Sequence, residues 1–259
     1  MMERSITTTQ QPLTAVIVGT GFGGIGMAIK LRQAGITDFV MLEKSGQIGG
    51  TWRDNTYPGA ACDVPSPLYS FSFEQDFDWP RFYSGQRDIH AYQQHCVAKY
   101  KLMPHVRLNT EVRRAAFDEQ RGLWQIETAE GDTVLARALI TATGQLNRPA
   151  YPKIPGFDTF RGKIFHSSRW DHSHDLSGRR VGVVGTGASA TSSAGDESNL
   201  SLKFPIRAHA IFFLCGFKRL QRLRRQESSF VQTGSWWRVL RARSPLRRVL
   251  GVQPPCRGK

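Results

Sequence analysis

Gly19, Gly21 and Gly24 stand in the spacing Gly-x-Gly-x-x-Gly, directly after the apolar run Ala15-Val16-Ile17-Val18. In that setting each glycine has a task. Gly19 permits a tight turn, Gly21 lets a pyrophosphate approach the backbone, and Gly24 lets the next helix pack close to the strand. Free N–H groups and the helix dipole favour an anion there. Glu43 closes a second apolar run, Phe39-Val40-Met41-Leu42. It lies about 20 residues past the glycines, where dinucleotide sites hold an acid against a ribose hydroxyl. A second turn, Gly185-Thr186-Gly187-Ala188-Ser189-Ala190, follows Val181-Gly182-Val183-Val184. Alanine in the third glycine place is an accepted variant, so two dinucleotides are implied.

Between the turns lie further candidates. Gly49-Gly50-Thr51-Trp52 again allows close backbone approach, with a hydroxyl and an aromatic face beside it. Tyr57-Pro58-Gly59-Ala60-Ala61-Cys62-Asp63 reads as a loop. Tyr69, Phe71, Phe73, Phe77, Trp79, Phe82 and Tyr83 then crowd together, suited equally to a core and to a wall for a planar ring. Thr141-Ala142-Thr143-Gly144 sets small residues at a strand end, where a cofactor can sit close. The four cysteines form no Cys-x-x-Cys, and no Cys/His cluster has zinc spacing, so no metal is expected.

The elements that must carry these residues follow from periodicity. A buried parallel strand leads into a helix over 25–34, stopped at Gly35, and a second strand over 39–42. Residues 87–100 read as a helix with Ile89, Tyr92, Cys96 and Val97 near one face. Strands are expected over 106–108, 112–117, 123–128 and 133–141, an antiparallel excursion inserted in the nucleotide fold. Pro149, Pro152 and Pro155 make a stiff connector. The fold class is α/β, a Rossmann-like two-dinucleotide-binding fold, incomplete and with an irregular basic tail. Its parts are a first dinucleotide-binding domain over 1–148, a linker and the start of a second nucleotide domain over 149–190, and a tail over 191–259.

No segment has the apolar length of a membrane span, and residues 1–11 lack the apolar core of a secretion signal, so a cytoplasmic location is expected. The net charge of +14 is unevenly spread. Residues 191–259 hold 14 of the 35 Lys and Arg but only 3 of the 21 Asp and Glu.

Phe160, Gly162, His166, Trp170 and Asp171 complete a recognisable pattern, Phe-x-Gly-x-x-x-His-x-x-x-Trp-Pro/Asp, between two glycine-rich turns. Over roughly 13–190 the chain resembles the type I Baeyer–Villiger monooxygenases of the flavin-containing monooxygenase superfamily. The flavin-containing monooxygenases proper would carry Tyr or Phe at the place of Trp170. The resemblance implies FAD at Gly19, Gly21 and Gly24, with Glu43 on its ribose and the backbone of Val112 at its adenine. Gly50, Thr51, Trp52, Asp63 and Tyr69 would face the flavin, with Gly144 at the strand end nearby. Gly185, Thr186, Gly187 and Ser189 would begin the NADPH site. His166 would couple domain movement to catalysis. Asp63 would support a downstream arginine beyond the matched sequence. The reaction implied inserts one oxygen atom from O2 into a small-molecule ketone, giving an ester or lactone.

A flavin-dependent N- or S-oxygenase, or an inactive truncated product of such a gene, stays open as an alternative. Disulfide-type flavin reductases need a redox cysteine pair, which is absent here. After Ala190 the pattern lapses: Thr191-Ser192-Ser193-Ala194-Gly195-Asp196-Glu197-Ser198-Asn199 would make a poor helix. The reading expected is a frame shift near residue 190, leaving a tail that is disordered or out of frame; the other frames of the gene test it. A nucleic-acid- or membrane-binding tail, with Arg interleaved among Phe230, Trp236 and Trp237, is the rival. Lys218-Arg219 imitates the basic pair for a 2′-phosphate. Specific nucleic-acid binding is not expected, and the oligomeric state is left open.

Overall fold

The computed structural model describes residues 11–153, 155–177, 179–185, 187, 189, 210–213 and 238–240. Its strands are β1 (Leu13–Val18), β2 (Phe39–Leu42), β3 (Val106–Arg107), β4 (Val112–Asp118), β5 (Leu123–Thr128), β6 (Thr133–Thr141), β7 (Lys163–His166), β8 (Val181–Val184), β9 (Ala210–Phe213) and β10 (Arg238–Leu240). The helices are α1 (Phe22–Gln33), the single turn α2 (Thr51–Asp54) and α3 (Gln86–Lys99). These residues fall into two compact units: those within 1–48, 97–143 and 235–259, and those within 49–96 and 144–234.

The first unit is built on a sheet ordered β3-β2-β1-β6-β5-β4, with β10 also paired to β6. β1 runs parallel to β2 on one side and to β6 on the other. From Ala15 to Val18 its residues are apolar without alternation, and Ala15, Val16 and Ile17 are buried, as a strand covered on both faces requires. Val16, Val40, Leu42, Ile126, Val134, Ala136 and Leu139 form one buried cluster. Of the strands expected as an antiparallel excursion, β3 instead pairs parallel with β2, and the other three pair antiparallel in succession. β4 and β5 pair antiparallel, and β5 pairs antiparallel with β6. β6 then returns as the parallel neighbour of β1, so hairpin and nucleotide sheet share one surface. Arg32, in the last turn of α1, donates to the carbonyls of Tyr100 (2.9 Å) and Lys101 (2.7 Å), fixing the helix end.

The second unit contains a sheet ordered β7-β9-β8, all parallel. Of the tail over 191–259, only β9 and β10 lie among the described residues; the rest of that reading lies outside them. The aromatic run divides in two. Phe71, Phe77 and Trp79 surround Tyr92 of α3. The Tyr92 hydroxyl accepts from the Phe71 N–H (2.8 Å) and donates to the Glu74 carbonyl (2.9 Å). Phe82 and Tyr83 instead stay exposed. Tyr92→Phe keeps the ring and removes both bonds. It should lower unfolding stability by about 1–3 kcal/mol in urea titration. A loss below about 0.5 kcal/mol would deny the phenol this structural role.

Candidate functional site

In the first unit the turn after β1 is closed by contact of backbone with backbone. The Gly19 N–H donates to the Leu42 carbonyl (2.8 Å), tying the turn to the end of β2. Gly19 has φ +102, and a Cβ there would lie 2.6 Å from the Ala142 carbonyl oxygen, just beyond β6. A Cβ on Gly24 would lie 1.9 Å from the Gly19 carbonyl oxygen and 3.5 Å from Ile17 Cγ2. The helix can approach the strand only because Gly24 has no side chain, and the turn can approach the end of β6 only because Gly19 has none. Gly21 is the N-cap of α1 with ordinary extended backbone (φ −75°, ψ −170°), and no side chain caps the helix. The first turn of α1 has no acidic residue, a charge arrangement that favours an anion at this end.

Glu43 follows β2 directly and is 4% exposed. Its Oε2 accepts from the Thr20 N–H (3.1 Å) and from the Thr20 hydroxyl (2.7 Å). Its Oε1 accepts from the Ser45 N–H (3.0 Å). The unit thus brings Gly19, Gly21, Gly24 and Glu43 together, as the spacing predicted. Thr20 and Ser45 were not legible as partners; a hydroxyl at the first free position of the glycine pattern is the only signal for one of them. Val112 opens β4, partly buried against the core cluster and paired with Thr128.

In the second unit Gly50 is the N-cap of α2, and Thr51 begins it, exposed. The Trp52 indole N–H donates to the Tyr69 hydroxyl (3.0 Å), and the two rings meet edge to face at 5.6 Å. The Gln86 side-chain amide donates to the Trp52 carbonyl, locking α2 onto the start of α3. Gly49 is needed for the same packing. A Cβ there would lie 2.6 Å from the His90 ring. Asp63 is exposed, yet its charge helps to push up the Tyr57, Cys62 and Tyr69 protons, which burial chiefly holds in place. Gly144 is exposed, with open space where a side chain would stand.

The segment around His166 is held from both ends. His166 ends β7, 3% exposed, and its Nδ1 accepts from the Ser168 N–H (3.1 Å) and meets the Ser168 hydroxyl at 2.9 Å. Its Nε2 is buried without a hydrogen-bond partner. Lys163, at the start of β7, pairs with Asp171 at 2.8 Å, and Asp171 also accepts from the Ser173 N–H and hydroxyl. The Lys163 and Ser173 bonds hold the Asp171 carboxyl well below the usual carboxylate range. Trp170 packs on Phe165 and Tyr57. The Tyr57 hydroxyl bonds the Ser189 side chain at the second turn. Gly185 follows β8 with φ +145, Gly187 and Ser189 come next, and Thr186 lies outside the described residues.

Burial pushes the His166 imidazole below its ordinary 6.5, and the Arg169 charge adds to this. Below that pH the unfolded chain takes up a proton that the native state resists. The stability tied to neutral His166 is present above about pH 6.5 and lost as pH falls through the lowered native value. The urea midpoint should therefore fall more steeply from pH 7 to pH 5 in the parent than in His166→Asn. Parallel slopes would contradict the assignment.

Residues 16–199 match the family profile described as pyridine nucleotide-disulphide oxidoreductase. The chain belongs to that family. It is 56% identical over 174 residues to a Baeyer–Villiger monooxygenase of Streptomyces coelicolor, a match covering 67% of this chain and 33% of the relative. A cyclohexanone monooxygenase from Rhodococcus sp. Phi1, solved bound to NADP+, superposes with TM-score 0.65 at 37% identity over 71% of this chain and 36% of that one. OTEMO, solved in complex with FAD and NADP, gives TM-score 0.65 at 34% identity over 71% of this chain and 37% of that one. The Streptomyces coelicolor relative bears the name of the group that the Phe160–Asp171 pattern resembles. The chain spans about a third of their length. Among the described residues no helix is long and apolar enough to cross a membrane, and no group of side chains could hold a metal.

Proposed function

We propose that this chain carries the dinucleotide-binding machinery of a Baeyer–Villiger-type monooxygenase, with FAD at the first turn and NADPH at the second. The observation that carries the reading is the Phe160–Asp171 pattern, complete at every defined position and folded around a buried His166. FAD fits the first turn on physical grounds. No side chain caps the helix start, and Glu43 is a buried acceptor for a ribose hydroxyl. When bound, FAD reduced by NADPH supplies the oxygen-activating chemistry.

The residues present bind and orient. The turn built by Gly19, Gly21 and Gly24 would take the pyrophosphate, which would approach at Gly21. The Val112 backbone would meet the adenine. Trp52 and Tyr69, fixed on each other, would give the flavin a rigid wall. Asp63 would hold a cation whose charge steadies the developing oxyanion. Gly185, Thr186, Gly187 and Ser189 would receive the NADPH phosphates, and His166 would relay movement of its segment. The substrate proposed is a small ketone, converted to an ester or lactone.

The test supplies FAD, NADPH, cyclohexanone and 18O-labelled O2 to the purified protein. Lactone carrying one labelled oxygen is expected. Oxygenation of an amine or sulfide with no lactone formed would overturn the ketone assignment. Failure to take up FAD would overturn the cofactor assignment.

A further inference from the structure

We propose that Thr20 is the positioning residue for the Glu43 carboxylate, and through it for the ribose of the dinucleotide at the first turn. The inference rests on the reading of that turn as an FAD site. Thr20 is completely buried and Glu43 nearly so. One residue delivers two donors to one carboxylate oxygen: N–H at 3.1 Å and hydroxyl at 2.7 Å, both onto Oε2. The Ser45 N–H holds the opposite oxygen at 3.0 Å. In that short contact the Thr20 hydroxyl donates and the carboxylate oxygen accepts.

The geometry has a consequence for binding. A buried carboxylate gripped on both oxygens cannot rotate about its terminal torsion, so its remaining acceptor directions are fixed. A β-branched side chain suits the task because its χ1 is stiff. The first free position of the Gly-x-Gly pattern is therefore not filler here. It sets the angle at which the acid meets a ribose hydroxyl, by linking the turn after β1 to the residue after β2.

FAD affinity, read by quenching of flavin fluorescence, tests this, with circular dichroism confirming the fold of each variant. Thr20→Val keeps the shape and the N–H but loses the hydroxyl; it should bind about tenfold more weakly. Thr20→Ser keeps the donor and should stay within about threefold of the parent. Glu43→Gln should weaken binding at least as much as Thr20→Val. The double variant Thr20→Val/Glu43→Gln should be no weaker than Glu43→Gln alone, because both act through one contact. If Thr20→Val does not fold, Thr20→Ala carries the same expectation. Parent-like binding by Thr20→Val, equal loss in Thr20→Ser, or multiplying losses in the double variant would overturn the positioning role while leaving the cofactor reading intact. A parent that binds no FAD would overturn that reading, and this role with it.

Discussion

Gly24→Ala should yield a chain that cannot seat α1 on the sheet. The added methyl carbon would lie 1.9 Å from the Gly19 carbonyl oxygen and 2.9 Å from its carbon. Both are backbone atoms, so no rotamer change relieves the overlap; either the helix or the turn must move by more than an ångström. Ile25, Ala28, Ile29 and Leu31 on that helix are all buried, and shifting them opens gaps in the core. The loss should be about 3 kcal/mol or more, at the upper end for an overpacked site. Urea unfolding followed by tryptophan fluorescence measures it. A Gly24→Ala chain within about 1 kcal/mol of the parent would mean the helix does not rest on the turn as described.

Gly21→Val should behave in the opposite way: folded, but without flavin. Gly21 sits at φ −75° and ψ −170°, a conformation open to any L-residue. Valine there should therefore cost the fold little. Its branched side chain would stand at the N-cap of α1, where a pyrophosphate must approach the uncapped N–H groups. FAD affinity should fall by about 100-fold, or about 2.7 kcal/mol. Flavin content after reconstitution and desalting reads the effect against the parent. Equal flavin in the two would remove the first turn from the FAD site. Together the two glycines separate packing from binding, although they stand three positions apart in one motif.

Much of this was legible in the sequence because the elements are short and their periodicity is clean. β2, β5 and β6 fall where apolar runs and turn residues predicted them, and Ile89, Tyr92, Cys96 and Val97 are all buried on α3. The helix after the first turn begins at Phe22 rather than residue 25, since an uncapped glycine start gives no propensity signal. What stayed hidden was what depends on the third dimension. Whether an aromatic faces a core or a cavity is decided by its neighbours, so Phe77 and Phe82 look alike in sequence yet differ in burial. The Lys163–Asp171 pair and the Thr20–Glu43 contact join residues 8 and 23 positions apart, outside any local pattern. β6 could be predicted as a strand, but its double role between hairpin and parallel sheet could not, because pairing partners carry no local code.

The most direct test of the dinucleotide assignment is the amide spectrum of the 15N-labelled protein titrated with FAD. The backbone signals of Thr20, Gly21, Phe22, Gly23 and Gly24 should shift together and saturate at one FAD per chain, with those of Gly185 and Gly187 responding only when NADPH is added. Saturation elsewhere in the spectrum, with the Thr20–Gly24 amides unmoved, would contradict the account.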